Sequence, residues 1–209
     1  NAGMMLAGGS GFENLDWIES VLAEDKIDAG ITRPGHLALA ASDAMLDRMW
    51  EELRKRPAGA TPLHVLDRQA CEDLLQTKLA PGFLGGRWFP LGATIDPARL
   101  LHGLARAICQ RGGQIAEGRP VRRLALLRRP DGVAVETDAG SVLARQVVVA
   151  ANLASLALLD APASLLRPAR GQVLSSEPLP PFFRLAMAVD WGAVYWRQTT
   201  DGTIVIGGC

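Results

Sequence analysis

The chain has 209 residues, of which 48% are hydrophobic and 21% are charged, so it can bury one large core or two smaller ones. Its 22 lysines and arginines balance its 22 aspartates and glutamates. This balance excludes the basic surplus of a nucleic-acid-binding protein and the acidic block of a disordered tail. No stretch reaches the roughly 20 apolar residues that a membrane-spanning helix needs.

The first half of the chain contains four segments with a helical repeat of apolar residues. Ser42 and Asp96 stand where N-caps are expected, Pro57 ends the second helix, and two glycines at 112–113 end the last one. A short strand is predicted at residues 35–42. The predicted helices cover residues 13–27, 42–56, 67–76 and 96–113.

The second half of the chain is predicted to be mostly extended. Three runs after residue 113 alternate around turn residues and predict an antiparallel meander. VVVA at 147–150 is a continuous apolar run, which is typical of a parallel strand covered on both faces. Residues 186–198 and 202–208 are predicted to pair across the turn TTDG. The fold class is therefore mixed α/β.

The cysteines and histidines lack the spacing of a metal site. The three cysteines contain no close pair, and an odd, scattered set predicts a reduced protein of the cytoplasm. The three histidines are interpreted as packing or surface residues. The chain also has no GxGxxG after a strand, no Walker loop, no HExxH, no CxxC and no GxSxG. We therefore expect no metal, and no single motif identifies a reaction.

The order of several weaker segments is more informative. The helix DPARLLHGLARAICQRGGQI is followed by a strand containing PV, a DG turn, VVVAAN, RPARGQVL and YWRQTTDGTIVIGG. This order resembles the amino-acid and amine flavin oxidoreductases of the D-amino-acid oxidase superfamily. The greatest similarity is to the glycine oxidase and sarcosine oxidase branch and to the FAD subunits of opine-type dehydrogenases. The resemblance covers residues 2–209.

The resemblance implies part of a Rossmann-like FAD-binding domain interleaved with an antiparallel-sheet substrate domain. Residues 1–14 and 93–170 would belong to the first domain, and residues 15–92 and 171–209 to the second. The chain begins without methionine and stops at a hairpin. We therefore expect a piece of a longer protein that lacks the dinucleotide fingerprint and a C-terminal block.

The resemblance also implies contacts to FAD from small or apolar residues. Small residues allow backbone N–H groups to approach a cofactor, and the valine would cover the adenine ring. The alternatives are that the glycine-rich start is merely flexible, that Val121 is an ordinary core residue of a strand, and that residues 150–152 are only the end of a strand. The implied cofactor-binding residues are Ala2, Gly3, Met4, Val121, Ala150, Ala151 and Asn152.

Tyr195, the only tyrosine, falls where glycine-oxidase-like members have a substrate-site tyrosine. Its hydroxyl would bind a substrate carboxylate at the catalytic site, and the alternative is a tyrosine on a sheet surface. Arg197 alternates with Tyr195 on one strand face and is a second candidate for the carboxylate, unless it is a solvated arginine. Trp196 and Arg197 depart from the glycine oxidase pattern, which puts glycine in doubt as the substrate.

The implied function is FAD-dependent oxidation of a C–N bond in an amino acid or secondary amine, by hydride transfer to flavin. The alternative is a non-catalytic flavoprotein subunit or an inert fragment that binds a partner. The expected partner is a small-molecule substrate, with no nucleic acid and no membrane span. Association with further copies or with another subunit is left open, as is the choice between oxygen and another electron acceptor.

Overall fold

The computed structural model describes residues 4–5, 11–128 and 131–208. The chain forms two compact units, one made of Asn1–Arg111 and Gly171–Cys209 and the other of Gly112–Arg170. The assignment of segments to a flavin-binding and a substrate domain stays a prediction.

The predicted helices of the first unit are confirmed, and their starts follow the capping signals. The side chain of Ser42 accepts a hydrogen bond from Met45 N, and Asp96 Oδ1 accepts from Ala98 N and Arg99 N. None of the described helices has the length and hydropathy to cross a bilayer. The helices are α1 (Gly11–Glu24), α2 (Asp43–Arg54), α3 (Arg68–Leu75) and α4 (Pro97–Gln110).

Within its described residues, the first unit contains two sheets. β1 (Met4–Met5) pairs with β5 (Ala93–Thr94). The larger sheet has seven strands in the order β3-β4-β2-β10-β11-β12-β9, and its β2–β10 pair is parallel. Its strands are β2 (His36–Ala40), β3 (His64–Asp67), β4 (Gly85–Phe89), β9 (Gln172–Pro178), β10 (Ala186–Val189), β11 (Val194–Gln198) and β12 (Thr203–Gly208).

Alternation along β2 divides the core of this unit between the two faces of the large sheet. Leu37 and Leu39 pack with Leu75 of α3 and with Met187 of β10. Ala38 and Ala40 lie on the other face with Met49 of α2. α2 contacts β2, β3 and β4, and this second face continues across the sheet to Ala188 of β10 and on to β11.

The second unit is a three-stranded antiparallel meander followed by a short helix. It contains β6 (Val121–Arg128), β7 (Asp131–Thr137), β8 (Gly140–Ala144) and α5 (Ala154–Leu158). The predicted meander is confirmed. None of the described residues of this unit is fully buried, so its apolar side chains are half-buried or exposed.

The prediction of a parallel strand at residues 147–150 is wrong for the described structure. The run lies in no strand, and Val148 is 91% exposed. A buried parallel strand needs a neighbouring strand and cover on both faces, and the meander supplies neither to this run. Apolar composition alone therefore overstated its burial.

Candidate functional site

The two candidate substrate residues lie on the same face of β11. Tyr195 pairs with Ala188 of β10 and with Gly207 of β12, while Arg197 pairs with Val205 of β12. Because side chains alternate along a strand, residues 195 and 197 point to one side of the sheet. The structure thus brings a phenol and a guanidinium side by side, as the alternation predicted.

Tyr195 is half-buried and has small neighbours across the sheet. Ala188 on one side has only a methyl group, and Gly207 on the other has no side chain. A Cβ atom placed on Gly207 would collide with Cε2, Cζ and Oη of Tyr195. The ring therefore lies across β12, above the backbone of Gly207.

Arg197 is buried, which corrects the alternative of a solvated arginine. Its side chain is only 7% exposed, and Nη2 donates a hydrogen bond to Ile95 O at 3.1 Å. Burial lowers the pKa of Arg197 because it removes water from the cation, while the charges of Asp96 and Asp201 act in the opposite direction. Contact with the loop that precedes α4 holds this arginine, and no local sequence pattern could have shown that contact.

A polar cavity of about 360 Å³ adjoins Arg197. It lies between the turn that joins β11 to β12 and the beginning of α4. Thr32 and Thr94, whose hydroxyl oxygens are 2.8 Å apart, line it together with Asp96, Arg99 and Asp201. The pKa of Asp201 is lowered, chiefly by a hydrogen bond from the Thr199 hydroxyl. Charges of both signs surround this cavity, so it can accommodate a small polar molecule or water.

The N-terminal candidates lie in part outside the described residues, since neither Ala2 nor Gly3 is described. Met4 belongs to β1 and pairs with Thr94 of β5. Thr94 directly precedes Ile95, whose carbonyl oxygen accepts the hydrogen bond from Arg197. Met4 is therefore close in the fold to the loop that holds Arg197.

Trp191, which the sequence analysis did not single out, stands in the turn between β10 and β11. Its φ of 56° is in the left-handed region, which is uncommon for an aromatic residue. The guanidinium groups of Arg48 and Arg87 lie 5.1 and 5.3 Å from its ring centroid, within the range of cation–π attraction. These contacts join the turn that leads into Tyr195 to α2 and β4.

The remaining candidates lie in the second unit. Val121 is half-buried at the start of β6, while Ala150, Ala151 and Asn152 are exposed just before α5. Asn152 has a φ of 50°, and its carbonyl oxygen accepts a hydrogen bond from Ser155 N at 3.0 Å. Because α5 contacts β6, the structure brings the two segments into one unit.

The described residues contain no group of three histidine, cysteine or acidic side chains that could hold a metal ion. They also offer small residues where the sequence implied a cofactor. Ala150 and Ala151 are exposed, and Val121 is a half-buried apolar residue in the same unit. These features fit the adenosine part of FAD, which needs close backbone approach and an apolar cover.

Comparison with known proteins agrees with this interpretation. The model of the FAD dependent oxidoreductase (DAO) family matches residues 9–209. No curated protein matches the chain.

Several solved structures have the same fold as this chain. Glycine oxidase from Geobacillus kaustophilus has a TM-score of 0.85 at 18% identity, and the match covers 100% of this chain and 61% of the oxidase. L-Proline dehydrogenase from P. horikoshii has a TM-score of 0.77 at 14% identity, over 97% of this chain and 56% of that protein. Iminodiacetate oxidase from Chelativorans sp. BNC1 has a TM-score of 0.75 at 17% identity, over 99% of this chain and 60% of the oxidase.

The chain thus spans about three fifths of these proteins. At such low identity the structural similarity shows only that the fold is shared. The family match extends over nearly all residues, and it shows that the chain belongs to the DAO family of FAD-dependent oxidoreductases.

Proposed function

We propose that the chain is part of an enzyme that oxidises a C–N bond of an amino acid or secondary amine. The observation that carries this proposal is the pair Tyr195 and Arg197 on one face of β11, in a chain of an FAD-dependent family. The phenol can donate a hydrogen bond to a substrate carboxylate, and the buried guanidinium adds positive charge behind it.

In this proposal the cofactor is FAD, which when bound accepts the hydride from the carbon that carries the amine. Val121, Ala150, Ala151 and Asn152 would hold its adenosine part, and Ala2, Gly3 and Met4 would lie beside the rest. Three exposed residues at 150–152 and a half-buried valine in the second unit support this assignment.

The protein's own part in the reaction is to bind, orient and shield the substrate. No ionisable base is required if the amine arrives neutral, since its lone pair assists the loss of hydride from the adjacent carbon. Loss of the hydride, which carries two electrons and one proton, turns the neutral amine into an iminium ion, and water then converts the iminium ion into a carbonyl compound and the protonated amine or ammonium.

Replacing Tyr195 by phenylalanine is expected to raise the KM for amino acids about tenfold, because a hydrogen bond to a charged group contributes about 1.5 kcal/mol or more. The kcat should change much less, since the carboxylate is bound equally in ground and transition states. Steady-state kinetics of the FAD-loaded enzyme measure both constants.

An amine substrate without a carboxylate is the matched control and should be oxidised equally well by the variant and the wild type. An unchanged KM across amino-acid substrates would contradict the role of Tyr195. Parallel assays with oxygen and with a redox dye decide which acceptor reoxidises the enzyme.

A second candidate function is a non-catalytic flavoprotein subunit that binds a partner. The exposed apolar side chains of the second unit favour it, because exposed apolar surface can mark an interaction site. Leu126 and Val142 lie on one face of the meander and are 87% and 63% exposed. Tight FAD binding without reduction by any amino acid or amine would support this candidate over the enzyme.

We further propose that the protein works in the cytoplasm. Cys71 and Cys109 are both free thiols, in line with a reducing compartment, and Cys209 lies outside the described residues. Accumulation of the protein in a cytoplasmic fraction would support this location.

A further inference from the structure

The pairing of Tyr195 with Gly207 restricts what residue 207 can be. Gly207 is buried, and it is directly opposite Tyr195 in the antiparallel pair of β11 and β12. Its φ is not in the left-handed region, so the backbone alone does not demand glycine. The requirement comes from the tyrosine, because a Cβ on Gly207 would collide with three atoms at the outer end of its ring.

We propose that Gly207 is a positioning residue for Tyr195. The missing side chain makes room for the ring across β12 and so fixes where the phenol hydroxyl stands. This inference rests on the proposed role of Tyr195 in binding the substrate carboxylate. A methyl group at residue 207 would push the ring aside and move the hydroxyl, while leaving the guanidinium of Arg197 tied to Ile95 O.

A purely structural role for the pair makes a different prediction. An aromatic ring that covers a glycine on the neighbouring strand also shields the backbone and stabilises the sheet. In that case Gly207→Ala lowers stability and leaves substrate affinity alone. Positioning instead predicts a loss of affinity that depends on the presence of the ring.

The test compares Gly207→Ala in two backgrounds, wild type and Tyr195→Ala. In the wild-type background we expect the KM for amino acids to rise about tenfold with little change in kcat, as for loss of the hydroxyl contact. In the Tyr195→Ala background the same substitution should change KM by less than about twofold, since its effect acts through the ring. Equal losses in both backgrounds would overturn the proposal.

A second readout does not need turnover. Tyr195 is the only tyrosine of the 209 residues, and the loss of its ring signals in Tyr195→Phe identifies them in the NMR spectrum of the ring-labelled protein. Gly207→Ala should shift these signals, and an unshifted ring would contradict the positioning role. If the ring moves but no amino acid is ever oxidised, the proposed function fails while the steric part of the inference stands.

Two further variants keep the test decisive. Gly82→Ala is the control, because a Cβ on Gly82 meets no atom within 4 Å and should leave both readouts unchanged. If Gly207→Ala does not fold, the double variant with Tyr195→Ala should fold, because the collision is with the ring. A double variant that also fails to fold would place the cause elsewhere and overturn the proposal.

Discussion

Replacing Leu37 by alanine is expected to lower the free energy of unfolding by about 3 kcal/mol, the range found for fully buried leucines. Leu37, the second residue of β2, is 0% exposed and packs in one cluster with Leu75 and Met187. Shortening it removes buried methyl groups and leaves a cavity that the surrounding β-sheet and α3 cannot fill. Urea unfolding followed by tryptophan fluorescence measures the change.

Leu174→Ala is the matched control, because Leu174 lies in the same sheet on the edge strand β9 and is 71% exposed. Its loss should change the free energy of unfolding by less than about 0.5 kcal/mol. Equal effects of the two substitutions would mean that this sheet face is not the core of the first unit.

Stability is expected to fall by about 3 kcal/mol as the pH drops from about 6.5 to about 4, because of His36. His36 is 4% exposed, and burial, with a smaller contribution from the charge of Arg87, lowers its pKa to about 4. Between these two pH values the unfolded chain binds a proton at residue 36 and the folded chain does not. Protonation therefore favours the unfolded state, and the effect is absent above about pH 7.

Unfolding at several pH values between about pH 7 and pH 5 isolates this residue from the carboxyl groups. Glu72, whose pKa is lowered mainly by the hydrogen bond from Lys78, loses its contribution only below its ordinary pKa of 4.5. His36→Leu should remove the dependence in this window, while His64→Gln at an exposed position should keep it. A wild-type protein with constant stability over the window would contradict the burial of a neutral His36.

Local signals predicted much of the fold. Ser42 and Asp96 mark helix starts because an N-cap acts on residues two or three positions away, which a sequence shows directly. The parallel pairing of His36 with Ala186 joins residues that are far apart in the chain, so no local pattern contains it. The prediction of a buried strand at residues 147–150 failed for the same reason, since burial depends on neighbouring elements that composition does not reveal.

In the candidate site, too, local patterns were predictable from the sequence and long-range contacts were not. Alternation along β11 predicted that Tyr195 and Arg197 share a face, and the structure confirms it. The burial of Arg197 depends on Ile95, which lies in a distant loop, and could not be foreseen. Gly207 could not be found by counting, because counting outward from the turn TTDG pairs Tyr195 with Ile206. In the structure Thr199 N donates to Thr203 O, so the pairing is shifted by one residue and places Gly207 opposite Tyr195.

The central claim is that this chain belongs to an enzyme that uses FAD to oxidise amino acids or secondary amines. Anaerobic mixing of the FAD-loaded protein with a panel of these compounds tests it most directly, with the visible flavin absorption band as the signal. We predict that at least one compound bleaches the band and that the matching carbonyl product appears in equal amount. A protein that binds FAD, yet keeps the full band with every member of the panel, would contradict the claim.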